Sequence, residues 1–306
     1  MAAPRTATFR AAPVRVRVPA TSANLGPGFD ACGLALGLYD DVVVQVSESG
    51  LDCEVAGEGA DKVGAGERNL VVKSLRATFA RLGGQPRGLA LRCANRIPHG
   101  RGLGSSAAAI VAGVLAARGL VVGGNERLDD LAALRLAASI EGHPDNVAAC
   151  LLGGYTIAWT DPDGVRAVAL PVAASIVPVA FVPATQVATA KARRLLPDQL
   201  PFADAARSAG RAALLTAALS GRPDLLLAAT EDRLHQQYRA SAMPRSVALV
   251  DHLRAEGVAA VISGAGPTVI ALTDLASADR VEAQAPRGWT VHRLDVEREG
   301  ARIVPL

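Results

Sequence analysis

Valine and arginine alternate over residues 14–18, so the first regular segment reads as a strand with one wet face, ended by Pro19. The valine-rich residues 41–46 and residues 51–55 read as further strands. A helix is expected over residues 67–82, stopped by Gly83 and Gly84, and the alternation of a strand returns at 89–94. From 107 to 120 the chain is nearly all apolar and rich in alanine, which predicts a helix. A second apolar helix is expected at 128–140, started by Asn125. Residues 145–152 read as a further helical stretch, which Asp145 and Asn146 could cap, and 155–159 as a strand.

The turn signal Asp161-Pro162-Asp163-Gly164 marks the expected domain boundary, giving domains 13–162 and 163–306. Strands are expected beyond it at 177–182, 259–262 and 269–272. Helices are expected at 185–195, 203–220, 224–234 and 247–256, so the class is α+β. Residues 1–12 hold arginines and no acid, and read as a disordered tail.

The stretch Pro98-His99-Gly100-Arg101-Gly102-Leu103-Gly104-Ser105-Ser106-Ala107 falls between the strand 89–94 and the helix 107–120. Glycines let a backbone turn tightly and approach a ligand. A helix start offers unpaired N–H groups and a positive dipole end, so this loop is a candidate polyphosphate site. It is not a Walker A loop, because no Gly-Lys-Ser/Thr follows, and the glycine spacing does not make a dinucleotide fingerprint. Either serine could cap the helix, touch phosphate, or do both.

Composition narrows the classes. Half of the 306 residues are hydrophobic and 3% are aromatic, so cores must be built from Ala, Val and Leu. The net charge is +3, and the arginines are dispersed among acids, which argues against a nucleic-acid partner. The run 107–122 is broken by Arg118 and glycines and does not support a membrane span. Cys32, Cys53, Cys93 and Cys150 form no C-x-x-C and read as free thiols of a cytoplasmic protein. The five histidines show no metal-ligand spacing.

Three polar, glycine-rich stretches stand out: residues 19–36, 98–109 and 263–272. Their order and wording resemble the three motifs of the GHMP small-molecule kinases, above all the central Pro-x-x-x-Gly-Leu-Gly-Ser-Ser-Ala-Ala. The resemblance spans residues 14–272. It implies a ribosomal-protein-like N-terminal domain and a ferredoxin-like C-terminal domain, with ATP and its acceptor in the cleft between them. Four stretches are similar to those of family members acting on L-homoserine: residues 22–30, residues 141–148, Thr189-x-x-x-Arg193, and residues 263–268. The resemblance therefore implies transfer of the ATP γ-phosphoryl group to the side-chain hydroxyl of L-homoserine, with Mg²⁺, in threonine biosynthesis. A homodimer is usual for the family.

Carried onto this chain, the resemblance implies ATP binding by Asn69, Pro98, Gly100, Arg101, Gly102, Leu103, Gly104, Ser105, Ser106 and Ala107. Asn69 serves equally as an N-cap. Asn24, Asp30 and Asn146 resemble residues that hold the acceptor's amino group and hydroxyl, and Arg193 its carboxylate, a sound charge pairing. Arg239 is the second cation candidate, with Arg233 as its rival. Thr189 and Arg193, at i,i+4, would share a helix face. Catalytic roles fall to Asn146, Thr189 and Arg193. Other members carry Asp at the position of Asn146, so no side-chain base is expected here. Many carry a Mg²⁺-binding Glu where this chain has Arg135, which leaves Ser105, Ser106 and Glu141 as metal candidates. A kinase of the same family with another acceptor, and a non-catalytic nucleotide-binding regulator, remain as alternatives.

Overall fold

The structure, a computed structural model, describes residues 6–306. One sheet is built from β1 (Val14–Ala23), β2 (Cys32–Ser47), β3 (Gly50–Gly57), β4 (Gly88–Asn95), β5 (Tyr155–Asp161) and β6 (Gly164–Leu170), with the late strand β11 (Arg302–Val304). Its order is β11-β1-β2-β4-β3, with β5 added to β2 and β6 to β5. β3 and β4 run parallel and the other pairs antiparallel. A second sheet, in the order β10-β7-β9-β8, comprises β7 (Val177–Val182), β8 (Ala259–Ile262), β9 (Val269–Thr273) and β10 (Thr290–Arg293).

The helices of the first unit are α1 (Leu70–Arg81), α2 (Ser105–Leu120), α3 (Gly124–Arg127), α4 (Asp130–Glu141) and α5 (Asp145–Leu152). α2 is apolar on every side and is correspondingly the central, buried helix. Its Gly113 lets α1 approach closely, since a Cβ there would lie 2.6 Å from the Ser74 Cβ. Asn69 caps α1 by accepting from the N–H groups of Val71 and Val72. Asp129, not Asn125, caps α4 through the Ala132 N–H at 2.8 Å. α6 (Thr189–Arg193), α7 (Phe202–Ser220), α8 (Leu226–Ala229), α9 (Pro244–Ala255) and α10 (Ala278–Glu282) follow. A smaller core around Val179, Phe181, Leu253 and Ile262 lies between α9 and the second sheet.

Several sequence expectations shift. β1 continues through Pro19 to Ala23, because the register slips between Pro19 and Ala20, where a missing N–H is tolerated. The turn at 162–163 joins β5 to β6 within one sheet, so the expected boundary cuts a hairpin, and the change of sheet comes between Leu170 and Val177. The chain then returns, and β11 pairs with β1. The helix expected over 185–195 is only Thr189–Arg193, because residues 186 and 187 are drawn out against the glycine loop: Gln186 Nε2 donates to the His99 carbonyl and Val187 N–H to that of Gly100. Of the expected tail, residues 1–5 lie outside the described residues. Residues 7–10 are tied to the fold: the Phe9 ring meets Phe79 edge-on at 5.4 Å, Ala7 N–H donates to the Gly83 carbonyl and Arg10 N–H to that of Leu120. No helix among the described residues is long and apolar enough to cross a membrane.

Asp40, on β2, ties the sheet to the loop that follows β4. Its Oδ1 accepts from the backbone N–H groups of Arg96 (2.6 Å) and Ile97 (2.9 Å). Burial pushes its carboxyl up to about 6, against the pull of those donors. The folded state thus binds the proton more tightly than the unfolded state, and stability falls as pH rises from about 4 to about 6. Asp40→Asn keeps an acceptor oxygen and removes this titration. Urea midpoints should show the variant gaining on the wild type by up to about 3 kcal/mol between pH 4 and pH 7. An unchanged difference would contradict the assignment.

Candidate functional site

The three glycine-rich stretches converge. Ser263 Oγ donates to the Gly102 carbonyl at 2.6 Å and lies 2.9 Å from Ser22 Oγ. Gly264 N–H donates to the Ala23 carbonyl, and Thr268 N–H to that of Arg101. The loop from 98 to 104 turns through positive φ at Gly100 (66°), Gly102 (78°) and Gly104 (71°) and delivers the N-terminus of α2. Gly104 is the N-cap of α2 and makes no side-chain cap, so the first N–H groups of the helix are left for a ligand.

Two cavities flank that N-terminus. One, of about 270 Å³, is lined by apolar Val18, Val42, Val63, Leu70 and Val71, with Asp40, Asn69, Asn95 and His99. The other, of about 150 Å³, is polar and is lined by Asp30, Glu141, Asn146, Thr189, Arg193 and Arg239 among others. Gly100, Ser105 and Ser106 line both. A flat apolar group and a charged small molecule can therefore meet across one anion-binding helix start.

In the polar cavity Arg193 makes a bidentate pair with Asp30, at 2.7 and 2.9 Å. Asp30 is held at positive φ (54°), and its N–H donates to Asn24 Oδ1. The pair holds the Arg193 guanidinium above its usual value. Arg239 is buried, donates to the carbonyls of Ala192 and Gly264, and lies 5.4 Å from the centre of the Phe29 ring; Arg193 lies 5.8 Å from the same ring. Burial lowers the Arg239 pKa, and the nearby Arg193 adds to this. Arg239 Nη1 also lies 3.2 Å from His235 Nδ1, while His235 Nε2 is 2.8 Å from the Gly26 carbonyl. Arginine can only donate, so Nδ1 accepts and Nε2–H donates to Gly26. Burial pushes His235 down, in keeping with this neutral ring.

On the opposite wall Glu141 Oε2 accepts from Ser106 Oγ at 2.6 Å. Burial raises the Glu141 carboxyl, partly offset by that hydrogen bond. His143 Nδ1 lies 2.7 Å from Asp145 Oδ1, which raises the imidazole above its usual value, and Asp145 Oδ1 also accepts the Asn146 N–H. Asn146 Oδ1 accepts from Thr21 Oγ1 at 2.8 Å.

Some candidates stand elsewhere than expected. Asn24 lines the polar cavity, but its amide is engaged on both sides, with Nδ2 donating to the Gly264 carbonyl. Arg101 turns away: Nε and Nη2 donate to the Pro183 and Ala184 carbonyls, and it joins the two units. Pro98, Leu103 and Ala107 are buried supports that line neither cavity. Asn69 lines the apolar cavity while capping α1, and its Nδ2 donates to the Gly64 carbonyl. Arg239, not Arg233, reaches the site; Arg233 pairs with Glu231. Arg135 donates to the Val165 carbonyl and braces the β5–β6 hairpin. Phe29, His235, Asp40 and Thr21 were missed, since a lone aromatic, histidine, aspartate or threonine in a strand or loop carries no spacing signal.

A strand-loop-helix anion site between an apolar cavity and a zwitterion-like charge pair belongs to a small-molecule kinase cleft. The sequence pattern of the GHMP kinases N terminal domain matches residues 69–154, and that of the GHMP kinases C terminal domain matches residues 204–290. The chain belongs to the GHMP kinases. It is 63% identical over 298 residues to the homoserine kinase of Streptomyces avermitilis, covering 97% of this chain and 98% of the relative. It is 48% identical over 286 residues to the homoserine kinase of Mycobacterium tuberculosis, covering 91% and 90%. Among solved structures it matches homoserine kinase from Cytophaga hutchinsonii with a TM-score of 0.83 at 27% identity, covering 97% and 98%. Mevalonate kinase of L. major, at 16% identity and a TM-score of 0.68 over 98% of this chain and 100% of that one, shares the fold.

Gly104 is the most demanding position of the loop. A Cβ there would stand 1.9 Å from Thr21 Oγ1, at a φ that L-residues avoid. Gly104→Ala should weaken ATP binding about five- to thirtyfold, the equivalent of the 1–2 kcal/mol left-handed penalty before any clash. Calorimetric titration with a non-hydrolysable ATP analogue checks this. Wild-type affinity in the variant would show that the loop does not hold the nucleotide.

Proposed function

We propose that the chain transfers the γ-phosphoryl group of ATP to the side-chain hydroxyl of L-homoserine, giving O-phospho-L-homoserine in threonine biosynthesis. The observation that carries this reading is the Asp30–Arg193 pair, facing the helix start from within a cavity of amino-acid size. A zwitterion can exchange one internal ion pair for two: its ammonium goes to Asp30 and its carboxylate to Arg193, with Arg239 behind. The high identity to relatives named homoserine kinase supports the same acceptor. Four buried free cysteines suit a cytoplasmic enzyme.

The apolar cavity takes the nucleoside, and the N–H groups from Gly102 to Ser106 take the phosphates. Phosphoryl transfer needs alignment and charge neutralisation more than covalent help. Asn146 cannot accept a proton near neutrality, so the acceptor hydroxyl is aligned, by Asn146 and by Thr189 at the mouth of α6, and loses its proton late, to a phosphate oxygen or water. Ser106 and Glu141 offer a hydroxyl and a carboxylate beside the phosphate loop, hard oxygen donors that fit Mg²⁺, whereas Arg135 is turned away. When bound there, Mg²⁺ would neutralise charge on the phosphate oxygens.

ADP release should be strong with L-homoserine and weak with serine, threonine, mevalonate or shikimate. Turnover with only a non-amino-acid acceptor would overturn the assignment, and turnover with none would favour a regulator. Arg193→Met should raise KM for homoserine about a hundredfold, the loss of a charge-assisted bidentate pair, and leave KM for ATP within about twofold. Asn146→Asp should not increase kcat. A large increase at unchanged homoserine KM would show that a base is missing.

A further inference from the structure

Thr21 is fully buried near the end of β1 and lines neither cavity, yet it touches three parts of the site. Its N–H donates to the Leu103 carbonyl, which fixes the turn before Gly104. Its Oγ1 occupies the space where a side chain on Gly104 would begin. The same Oγ1, on a fully buried side chain, donates to Asn146 Oδ1 at 2.8 Å. A hydroxyl has one proton, and here it is spent on the carbonyl end of an amide. That leaves the –NH2 end of Asn146 for the polar cavity which this residue lines.

We propose that Thr21 is a positioning residue for phosphoryl transfer: it holds the Asn146 amide so that N–H donors, and not a carbonyl oxygen, face the acceptor hydroxyl and the migrating phosphoryl group. The proposal rests on the reading that Asn146 faces the acceptor. With the amide reversed, its carbonyl would meet the phosphoryl oxygens, and two lone pairs would oppose each other where negative charge is shared in the transition state. The Thr21 hydroxyl would then accept from the –NH2 group and its own buried proton would lose the acceptor it has now, so the pairing favours one of the two orientations an asparagine can take.

The test is a double-mutant cycle of Thr21→Val and Asn146→Ala, with steady-state kinetics and thermal midpoints for each protein. Thr21→Val should lower kcat about ten- to thirtyfold, the cost of one buried hydrogen bond that matters in the transition state, with KM for homoserine and ATP within about twofold. Thr21→Ser should restore kcat. In the Asn146→Ala background Thr21→Val should have no further effect on kcat, a coupling that a purely structural role would not produce. If Thr21→Val does not fold, Thr21→Cys, a weaker donor of similar size, takes its place in the cycle, and its smaller loss should vanish in the same background. An unchanged kcat in Thr21→Val, or the same drop with and without Asn146, would overturn the proposal. The ratio to wild type is read with whichever acceptor supports turnover, so rejection of homoserine as substrate would be seen separately in the wild-type enzyme.

Discussion

The hydroxyl of Ser263 joins the three loops on which the site depends. It reaches the Gly102 carbonyl and the Ser22 hydroxyl at once, from the turn that joins the edge strand β8 of the second sheet to β9. A buried hydroxyl of this kind is costly to leave unpaired, so the arrangement is close to all-or-none. It works beside other ties from the second unit to the same loop, those of Gln186 to His99, Val187 to Gly100 and Arg101 to Pro183 and Ala184. The backbone bonds from Gly264 N–H to Ala23 and from Thr268 N–H to Arg101 run beside it. The cleft is therefore one structure made from both units.

Around that junction the charges are arranged for exchange. Asp30 and Arg193 pair with each other, and the buried Arg239 is held by two carbonyls and a neutral imidazole. Phe29 lies beside both guanidinium groups and excludes water from one side of each. A zwitterion entering here loses hydration but finds both partners already oriented, which lowers the ordering cost of binding. The opposite wall carries the acids: Glu141 on Ser106, and Asp145 on His143. Both walls line one cavity beside the N-terminus of α2.

Much of this was legible in the chain. The glycine loop between a strand and an alanine-rich helix, the Asn69 cap and the set of motifs at residues 19–36, 98–109 and 263–272 were all written in local patterns. The roles of Asn24 and Arg101 were not, because polarity in a loop does not say whether a side chain faces ligand or backbone. Arg101 is spent on the Pro183 and Ala184 carbonyls, while Asn24 lines the polar cavity and also donates to the Gly264 carbonyl. The boundary at 162–163 misled for a related reason: Pro and Gly mark a turn, and only the pairing of β5 with β6 shows that the turn stays within one sheet. Thr21 and Asp40 escaped notice because each acts through a contact distant in sequence, with Asn146 and with residues 96 and 97.

On the proposed function, one cavity reads both charged ends of an amino acid. The direct measurement compares kcat/KM for L-homoserine with that for 3-aminopropan-1-ol, which lacks the carboxylate, and 4-hydroxybutanoate, which lacks the ammonium. Each analogue should fall about a hundredfold, the loss of one charge-assisted pair. An analogue phosphorylated as efficiently as homoserine would show that Asp30 and Arg193 serve the fold and not the substrate.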